Sequence, residues 1–192
     1  MYAQTVVLMS DQCSFSSFAR DTRDPQIIRR KRTQFYSLAR YAVHNSGGFV
    51  YQFVGDEVVA LFGLHEPPDI AVVKALACVQ TLFGIGRAVA DDWQRELDRT
   101  QPSRGVHIGV AVGDLTLLQL RPFSRAHIGF IGEGLNMAAR LMGEAKADEA
   151  VLSNGVYRLL DDNLRESLAA MEPIEAKNVG RITAWKLTRA NG

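Results

Sequence analysis

Residues 47–63 read GGFVYQFVGDEVVALFG, and their pattern is the strongest indication of local structure in the sequence. Two runs rich in aromatic and β-branched residues, Phe49–Val54 and Glu57–Phe62, flank the dipeptide Gly55-Asp56. A two-residue connection with glycine first is typical of a type II′ turn, in which the first central residue has a positive φ angle. The stretch therefore predicts a tight β-hairpin that carries a carboxylate at its tip.

The segments on either side of this hairpin follow a recognisable order. An apolar run at residues 5–9 predicts a first strand, and Asp24-Pro25 predicts the start of a helix. A long apolar stretch to about residue 97 predicts a second helix, and Gly113-Asp114 predicts a second hairpin. This order is the βαββαβ pattern of a ferredoxin-like sheet. We therefore predict an α+β fold, with a central, mostly antiparallel sheet and flanking helices, formed by residues 1–192 as a single domain.

The first predicted helix carries both an apolar stripe and a basic run. Its apolar residues recur at spacings of seven, three and four, which predicts a face turned toward the core: Ile28, Phe35, Leu38 and Ala42. Arg29–Arg32 lies on the same helix. A solvated helix face explains this run without further assumptions, and nucleic-acid binding is the alternative interpretation.

Composition limits the classes of function. Apolar residues make up 47% of the chain and charged residues 22%, which excludes disordered and collagen-like proteins. The net charge of +1 creates no broad field that would attract nucleic acid or an anionic membrane. The two cysteines form neither a disulfide framework nor a zinc cluster, which indicates a reducing compartment.

Membrane insertion and secretion are not indicated either. The first residues lack the pattern of a signal peptide, because their apolar run is only four residues long. The most apolar stretch, residues 70–90, is interrupted by three polar or charged side chains, which favours a buried or dimer-facing helix over a membrane span. We therefore expect a cytoplasmic domain.

Two carboxylates occupy special positions in the predicted sheet. Asp11 follows the first strand, and Asp56 lies at the tip of the hairpin. If the first strand and the hairpin lie side by side, both carboxylates reach one edge of the sheet. Hard oxygen ligands placed in this way suit Mg²⁺ or Mn²⁺ and a two-metal phosphoryl-transfer reaction. The alternative is that Asp56 is simply a turn residue.

A second group of polar residues follows the glycine-rich segment Gly132-Glu133-Gly134. Asn136 and Arg140 are four residues apart, so they share one face of the helix predicted from about Leu135 to Gly143. An amide and a guanidinium together can hold a sugar and an anionic phosphate. A surface helix with no such role is the alternative, because this pair is common on exposed helices.

Gln52 is the one strongly polar side chain in Phe49–Val54. A buried amide without a partner costs about 1–3 kcal/mol, so it needs a hydrogen bond from the protein or from a ligand. The sequence leaves both interpretations open: a glutamine satisfied within the core, or a reader of a nucleotide base.

The sequence around these residues resembles the class III nucleotidyl cyclases. Four blocks match that family in order and spacing: residues 5–11 with Phe15 and Ser16, residues 47–63, residues 107–114, and residues 131–141. The resemblance covers nearly the whole chain, and four ordered blocks are far more specific than any single one.

The resemblance implies conversion of a nucleoside triphosphate to a 3′,5′-cyclic nucleotide and pyrophosphate, with two Mg²⁺ or Mn²⁺ ions per site. Asp11 and Asp56 match the metal-binding aspartates, and the main-chain carbonyl of Gln12 is a further expected ligand. Asn136 matches the asparagine that orients the ribose. Arg140 matches the arginine that stabilises charge on the α-phosphate.

Further expectations concern the terminal phosphates and the assembly. Lys177 resembles a late lysine that contacts the terminal phosphates, although Asn178 stands where a glycine usually follows. The family shares each site between two chains arranged head to tail, so the resemblance implies a homodimer with an inactive monomer.

The departures from the family pattern concern the base and the level of activity. Gln52 stands where adenylate cyclases carry Lys and guanylate cyclases carry Glu, and Gly129 offers no side chain at the second base-reading position. The choice of base stays open, with ATP slightly favoured and GTP possible. Leu118 and Ala111-Val112 also depart from the pattern, so a weak or inactive cyclase-like domain that binds nucleotide or dimerises is the alternative.

A different palm-fold enzyme, such as a diguanylate cyclase, is a third hypothesis, but that family lacks the helix with Asn136 and Arg140.

Overall fold

The computed structural model describes residues 1–22, 24–120, 127–176 and 180–189. The described helices are α1 (Phe15–Asp21), α2 (Pro25–Asn45), α3 (Pro68–Leu97), α4 (Glu133–Glu144), α5 (Asn154–Leu159) and α6 (Asp162–Glu166). The described strands are β1 (Tyr2–Gln12), β2 (Phe49–Val54), β3 (Glu57–Phe62), β4 (Val106–Leu120), β5 (His127–Ile131), β6 (Glu149–Ser153), β7 (Ala169–Ala170), β8 (Ile174–Ala176), β9 (Gly180–Ile182) and β10 (Ala184–Thr188).

One mixed sheet organises the chain, with the strand order β2-β3-β1-β4-β6-β10-β7. β1 lies inside it and pairs antiparallel with both β3 and β4, whereas β4 and β6 run parallel. The distal half of β4 pairs with β5, outside this path. The predicted α+β fold with a mostly antiparallel sheet and flanking helices is confirmed.

Helices cover both faces of the sheet, and this explains the continuous apolar run in β1. Val6 and Leu8 point into a core shared with α2 and α3, while Val7 and Met9 point into a second core shared with α4. Alternate residues of a strand face opposite sides, so a strand covered on both faces is apolar at every position.

The predicted hairpin at Gly55-Asp56 is present. Val54 pairs with Glu57, and Gly55 has a φ of 63°, whereas Asp56 is not among the described residues with positive φ. A positive φ at only the first central position is the pattern of a type II′ turn.

The predicted second hairpin at Gly113-Asp114 is wrong, because β4 runs unbroken through both residues. Gly113 serves close packing instead: a Cβ there would lie 2.8 Å from the backbone nitrogen of Gly134 in α4. Asp114 accepts a hydrogen bond from the backbone N–H of Gln4 at 2.9 Å. Both residues therefore hold neighbouring elements in place, and neither forms a turn.

The apolar stripe predicted for α2 is partly wrong. Phe35 and Ala42 are buried, but Leu38 is 39% exposed and Lys31 is buried in its place. The ammonium of Lys31 lies 2.5 Å from a carboxylate oxygen of Asp92 and 2.6 Å from one of Glu96, both on α3. An ion pair between the buried ammonium of Lys31 and two partly exposed carboxylates therefore joins the two helices at this position.

α3 is the one described helix that is long and apolar enough to cross a membrane, with a mean hydropathy of 1.5 in its most apolar window. Half of that window is buried within the chain. Its buried face, which includes Leu82, Phe83 and Trp93, belongs to the core shared with α2. This packing agrees with the predicted buried helix.

Candidate active site

The two aspartates meet at one end of the sheet. β1 and β3 run antiparallel with Ser10 opposite Val58, so the end of β1 lies against the tip of the β2–β3 hairpin. The carboxyl groups of Asp11 and Asp56 are close enough for the negative charge of Asp11 to raise the pKa of Asp56. The structure therefore brings together the two acids that the sequence singled out.

Their environment favours a positive ligand. The pKa of Asp56 is raised to about 6, first by burial and then by the negative charge of Asp11. The Oδ1 atom of Asp11 is buried without a hydrogen-bond partner in the described part of the chain. Two adjacent, partly desolvated carboxylates repel each other, and a divalent cation between them would remove that repulsion.

Two further ionisable residues lie beside Asp11, one on each neighbouring strand. Glu57 begins β3, and its pKa is raised by burial and by the charge of Asp11. His107 faces Asp11 across the β1–β4 ladder, with its Nε2 atom 3.2 Å from a carboxylate oxygen of Asp11 and its Nδ1 atom 3.6 Å from the sulfur of Cys13. The hydrogen bond with Asp11 is the main cause that raises the pKa of His107 to about 10.

The interaction between His107 and Asp11 was missed by the sequence reasoning. The sequence identified His107 only as part of a block that matches the cyclase family. Its pairing with Asp11 depends on the register of two strands almost 100 residues apart. With the register known, Asp11 and His107 are direct cross-strand partners.

Gln12 is buried at the end of β1, with 4% of its surface exposed. Its side-chain Oε1 atom has no hydrogen-bond partner among the described residues. Its main-chain carbonyl lies next to Asp11 in the chain, and it stays a predicted ligand.

Asn136 and Arg140 lie on the outer face of α4. The inner face of this helix, with Ala138, Leu141 and Met142, is buried against the sheet. Asn136 and Arg140 are both exposed, one turn apart. Their exposure makes both side chains accessible to a second molecule.

α4 lies unusually close to the sheet because of a glycine in β4. A Cβ on Gly109 would lie 2.0 Å from the carbonyl oxygen of Ala138 and 2.4 Å from the nitrogen of Met142. Both are backbone atoms and could not give way without moving the helix. Gly109 therefore sets the position of α4, and with it that of Asn136 and Arg140.

The expectation of a buried amide at Gln52 is wrong, because this residue is exposed. β2 is an edge strand of the sheet, and its pairing with β3 is irregular between Val50 and Gln52. Because β2 lies at the edge of the sheet and its pairing is interrupted at this point, the amide of Gln52 is exposed to solvent in the single chain. Its role in reading a base stays a prediction.

Gly129, the second base-reading candidate, is buried in β5 directly opposite Leu118 of β4. Its neighbour Phe130 donates a backbone hydrogen bond to the Tyr51 hydroxyl at 3.0 Å, and the two rings make an edge-on contact. The strands that carry Gln52 and Gly129 are therefore in contact. Lys177 lies outside the described residues.

Curated sequence relatives give no function. Uncharacterized protein Rv1319c of Mycobacterium tuberculosis is 29% identical over 123 residues, which cover 62% of this chain and 20% of that protein. Uncharacterized protein Rv1318c of the same organism is 26% identical over 168 residues, covering 88% of this chain and 26% of the relative. The chain thus spans a fifth to a quarter of the length of these relatives. No family model matches the sequence.

Solved structures give a clear likeness in fold. The guanylyl cyclase Cya2 superposes with a TM-score of 0.81 at 18% identity, covering 97% of this chain and 92% of that one. The adenylyl cyclase CyaB from P. aeruginosa superposes at 0.80 with 19% identity, covering 98% and 95% of the two chains. The guanylate cyclase domain of RhGC from Catenaria anguillulae, in complex with GTP, gives 0.75 with 17% identity and covers 99% and 98%. The chain therefore has the fold of the class III adenylyl and guanylyl cyclase catalytic domains.

Proposed function

We propose that this chain is a nucleotidyl cyclase that converts a purine nucleoside triphosphate to a 3′,5′-cyclic nucleotide and pyrophosphate. The observation that carries the proposal is the meeting of Asp11 and Asp56 at the sheet edge, in a fold shared with cyclase domains. In this reaction the ribose 3′-oxygen bonds to the α-phosphorus, and the bond from that phosphorus to the pyrophosphate oxygen breaks. The proton of the 3′-hydroxyl is released to solvent as the new bond forms, and the pyrophosphate leaves with the oxygen of the broken bond.

Asp11, Asp56 and the main-chain carbonyl of Gln12 would hold two Mg²⁺ or Mn²⁺ ions. The buried, unpartnered Oδ1 atom of Asp11 and the repulsion between the carboxylates fit such a role. When bound, the ions would lower the pKa of the 3′-hydroxyl and neutralise charge on the phosphates. His107 holds the carboxylate of Asp11 from the β4 side and so fixes its orientation.

The proposed site is completed by a second copy of the chain. Asn136 would orient the ribose, and Arg140 would stabilise negative charge on the α-phosphate. Their exposed position on α4 supports a head-to-tail homodimer, in which each site takes its acids from one chain and this pair from the other. Lys177 would contact the terminal phosphates.

We propose Gln52 and Gly129 as the positions that meet the base. An exposed amide can rotate to present either its donor or its acceptor, so it rejects the wrong purine poorly. ATP is slightly favoured and GTP is possible; both adenylyl and guanylyl cyclases are among the structural neighbours, so the fold does not decide between them.

The second candidate function is a cyclase-like domain that binds nucleotide or dimerises with little or no turnover. The observation that favours it is Leu118, which pairs with Gly129 in the β4–β5 ladder, so that its side chain would narrow the space proposed for the base. A triphosphate that binds without any cyclic product would favour this candidate.

We also propose that residues 1–192 form one catalytic domain of a cytoplasmic protein. The cyclase-domain fold and the half-buried packing of α3 support this assignment. The chain matches a fifth to a quarter of the length of its curated relatives, so it corresponds to one part of those longer proteins.

The test is direct. The purified chain is incubated with Mn²⁺ and either ATP or GTP, and cyclic product is identified by mass. We expect a 3′,5′-cyclic nucleotide from at least one triphosphate, and loss of product in Asp56→Ala. The exposed carboxylate Glu172 gives the matched control, Glu172→Gln, which should keep full activity. Absence of product with both nucleotides, or undiminished turnover in Asp56→Ala, would refute the proposed reaction.

A further inference from the structure

A cationic side chain that the proposed mechanism does not use, that of Arg32, lies on the helix α2 near the hairpin tip and acts electrostatically on Asp56. Arg32 is four residues before Tyr36 on α2, so the two side chains share one face of that helix. The Tyr36 hydroxyl donates a hydrogen bond to the carbonyl oxygen of Gly55, and its ring stacks on Phe53 with centroids 4.2 Å apart. This face of α2 is therefore fixed against the tip of the β2–β3 hairpin.

The guanidinium of Arg32 is held over the ring of Phe15. Its central carbon lies 4.6 Å from the centroid of the Phe15 ring, the first residue of α1. Burial is the largest cause of the raised pKa of Asp56 and of Tyr36, and the positive charge of Arg32 opposes the rise at both groups. The positive charge of Arg32 therefore acts on both Tyr36 and Asp56 at the hairpin tip.

Arg32 differs from the neighbouring cations of the basic run. Arg30 pairs with Glu96, and Lys31 pairs with both Asp92 and Glu96, so α3 neutralises these two charges. In the part of the chain that the structure describes, Arg32 forms no ion pair, and its Nε–H is buried without a hydrogen-bond acceptor. A half-buried guanidinium with an unsatisfied donor favours an anionic ligand that carries several acceptor oxygens.

We propose that Arg32 binds the triphosphate chain of the substrate, next to the cations held by Asp11 and Asp56. This inference rests on the proposed function, because that function supplies the ligand. Phosphate oxygens accept hydrogen bonds from a guanidinium in a planar, two-point geometry. Stacking on Phe15 and the fixed position of α2 preorient the guanidinium, so little side-chain freedom is lost on binding.

The competing explanation is that Arg32 only balances the charge of Asp56. The two explanations differ in what the residue changes. A phosphate ligand affects the binding of polyphosphates, whereas a counter-charge affects the binding of the cation alone.

The variant Arg32→Met keeps an unbranched side chain over Phe15 and removes the charge, and Arg32→Lys restores the charge without the planar donors. Arg29→Met is the matched control, because Arg29 is an exposed cation one turn earlier on the same helix. Thermal unfolding checks that each variant folds. Calorimetry then measures the binding of Mn²⁺ alone, of Mn²⁺ with inorganic tripolyphosphate, and of Mn²⁺ with a non-cyclisable ATP or GTP analogue.

We expect Arg32→Met to weaken binding of tripolyphosphate and of the triphosphate analogue by about tenfold or more, with partial recovery in Arg32→Lys and no change in Arg29→Met. Binding of Mn²⁺ alone should be unchanged or slightly tighter.

Tighter Mn²⁺ binding with unchanged polyphosphate binding in Arg32→Met would overturn the inference in favour of the counter-charge. If the wild-type chain binds polyphosphate through Arg32 but forms no cyclic product, the proposed function fails and the inference stands. If the wild-type chain binds no polyphosphate with Mn²⁺, both fail.

Discussion

Replacement of Asp56 by Asn should have opposite effects with and without a divalent cation. In the metal-free chain the pKa of this carboxyl is raised from 3.8 to about 6, chiefly by burial and then by the charge of Asp11. An acid with a raised pKa in the folded state destabilises the fold when it is ionised. The cost is fully present above the folded pKa and disappears as the pH falls below the unfolded value.

The effect of Asp56→Asn on the free energy of unfolding follows from the rise in the pKa of Asp56. At 1.36 kcal/mol per pKa unit, the change from 3.8 to about 6 corresponds to about 3 kcal/mol before screening. The carboxyl is partly exposed, so solvent screening reduces this to about 1 kcal/mol. At pH 7.5 and in a chelator, Asp56→Asn should therefore increase the free energy of unfolding by about 1 kcal/mol. For a domain of this size this is a rise of about 2–4 °C in Tm.

A divalent cation should reverse the order of stability. Mn²⁺ at 100 times its Kd stabilises a folded protein by about 2.7 kcal/mol, and Asn in place of Asp removes one anionic ligand. Thermal unfolding of the wild-type chain, Asp56→Asn and the control Glu172→Gln, each in chelator and in Mn²⁺ at pH 7.5 and pH 5, measures both effects. A destabilised Asp56→Asn in chelator, or an equal Mn²⁺-induced rise in Tm for variant and wild type, would refute the reasoning.

Three further predictions concern the base, the position of α4 and the core shared with α2 and α3. Gln52→Lys and Gln52→Glu should shift the ratio of ATP to GTP turnover in opposite directions, toward ATP and toward GTP respectively; equal ratios in competition assays would remove Gln52 from the base site. Gly109→Ala should lower the free energy of unfolding by about 3 kcal/mol, because its Cβ would meet backbone atoms of α4 at 2.0 and 2.4 Å. Gly84→Ala, with nothing within 4 Å, should instead stabilise α3 by about 0.5–1 kcal/mol, and urea unfolding compares the two. Cys78 is fully buried and its pKa is raised to about 12, mainly by burial, so the native chain should resist alkylation there at pH 8.5; mass spectrometry that found rapid native labelling of Cys78 would contradict the packing of α3.

Local chemistry explains which parts of the fold could be predicted from the sequence. The hairpin at Gly55-Asp56 was predictable because a glycine, which readily adopts a positive φ, begins a two-residue connection between two strand-like runs. Few structures other than a hairpin turn fit this pattern. The meeting of Asp11 and Asp56 followed from that hairpin once the first strand was placed beside it. The helix that carries Asn136 and Arg140 was predictable because residue spacing along one helix is a local property of the sequence.

The errors arose where distant segments decide the outcome. Gly113-Asp114 has the composition of a turn, but Gly113 is needed for the close approach of α4, and nothing local distinguishes the two uses of glycine. Lys31 is polar and yet buried, because Asp92 and Glu96 on a helix 60 residues later neutralise it. Gln52 is exposed because β2 is an edge strand, and the order of strands in the sheet is set by the whole chain.

The two groups of site residues lie on separate parts of one chain, and the central claim is that two chains combine them. Asp56→Ala and Arg140→Ala, each expected to be inactive alone, can be mixed in equal amounts at concentrations where dimers exchange subunits. Half of the resulting dimers are mixed, and each of these contains one intact and one doubly altered site, so activity should return to about a quarter of the wild-type level. Mixed dimers that form, as shown by capture through a tag on one variant, but yield no cyclic nucleotide would contradict a site shared between two subunits.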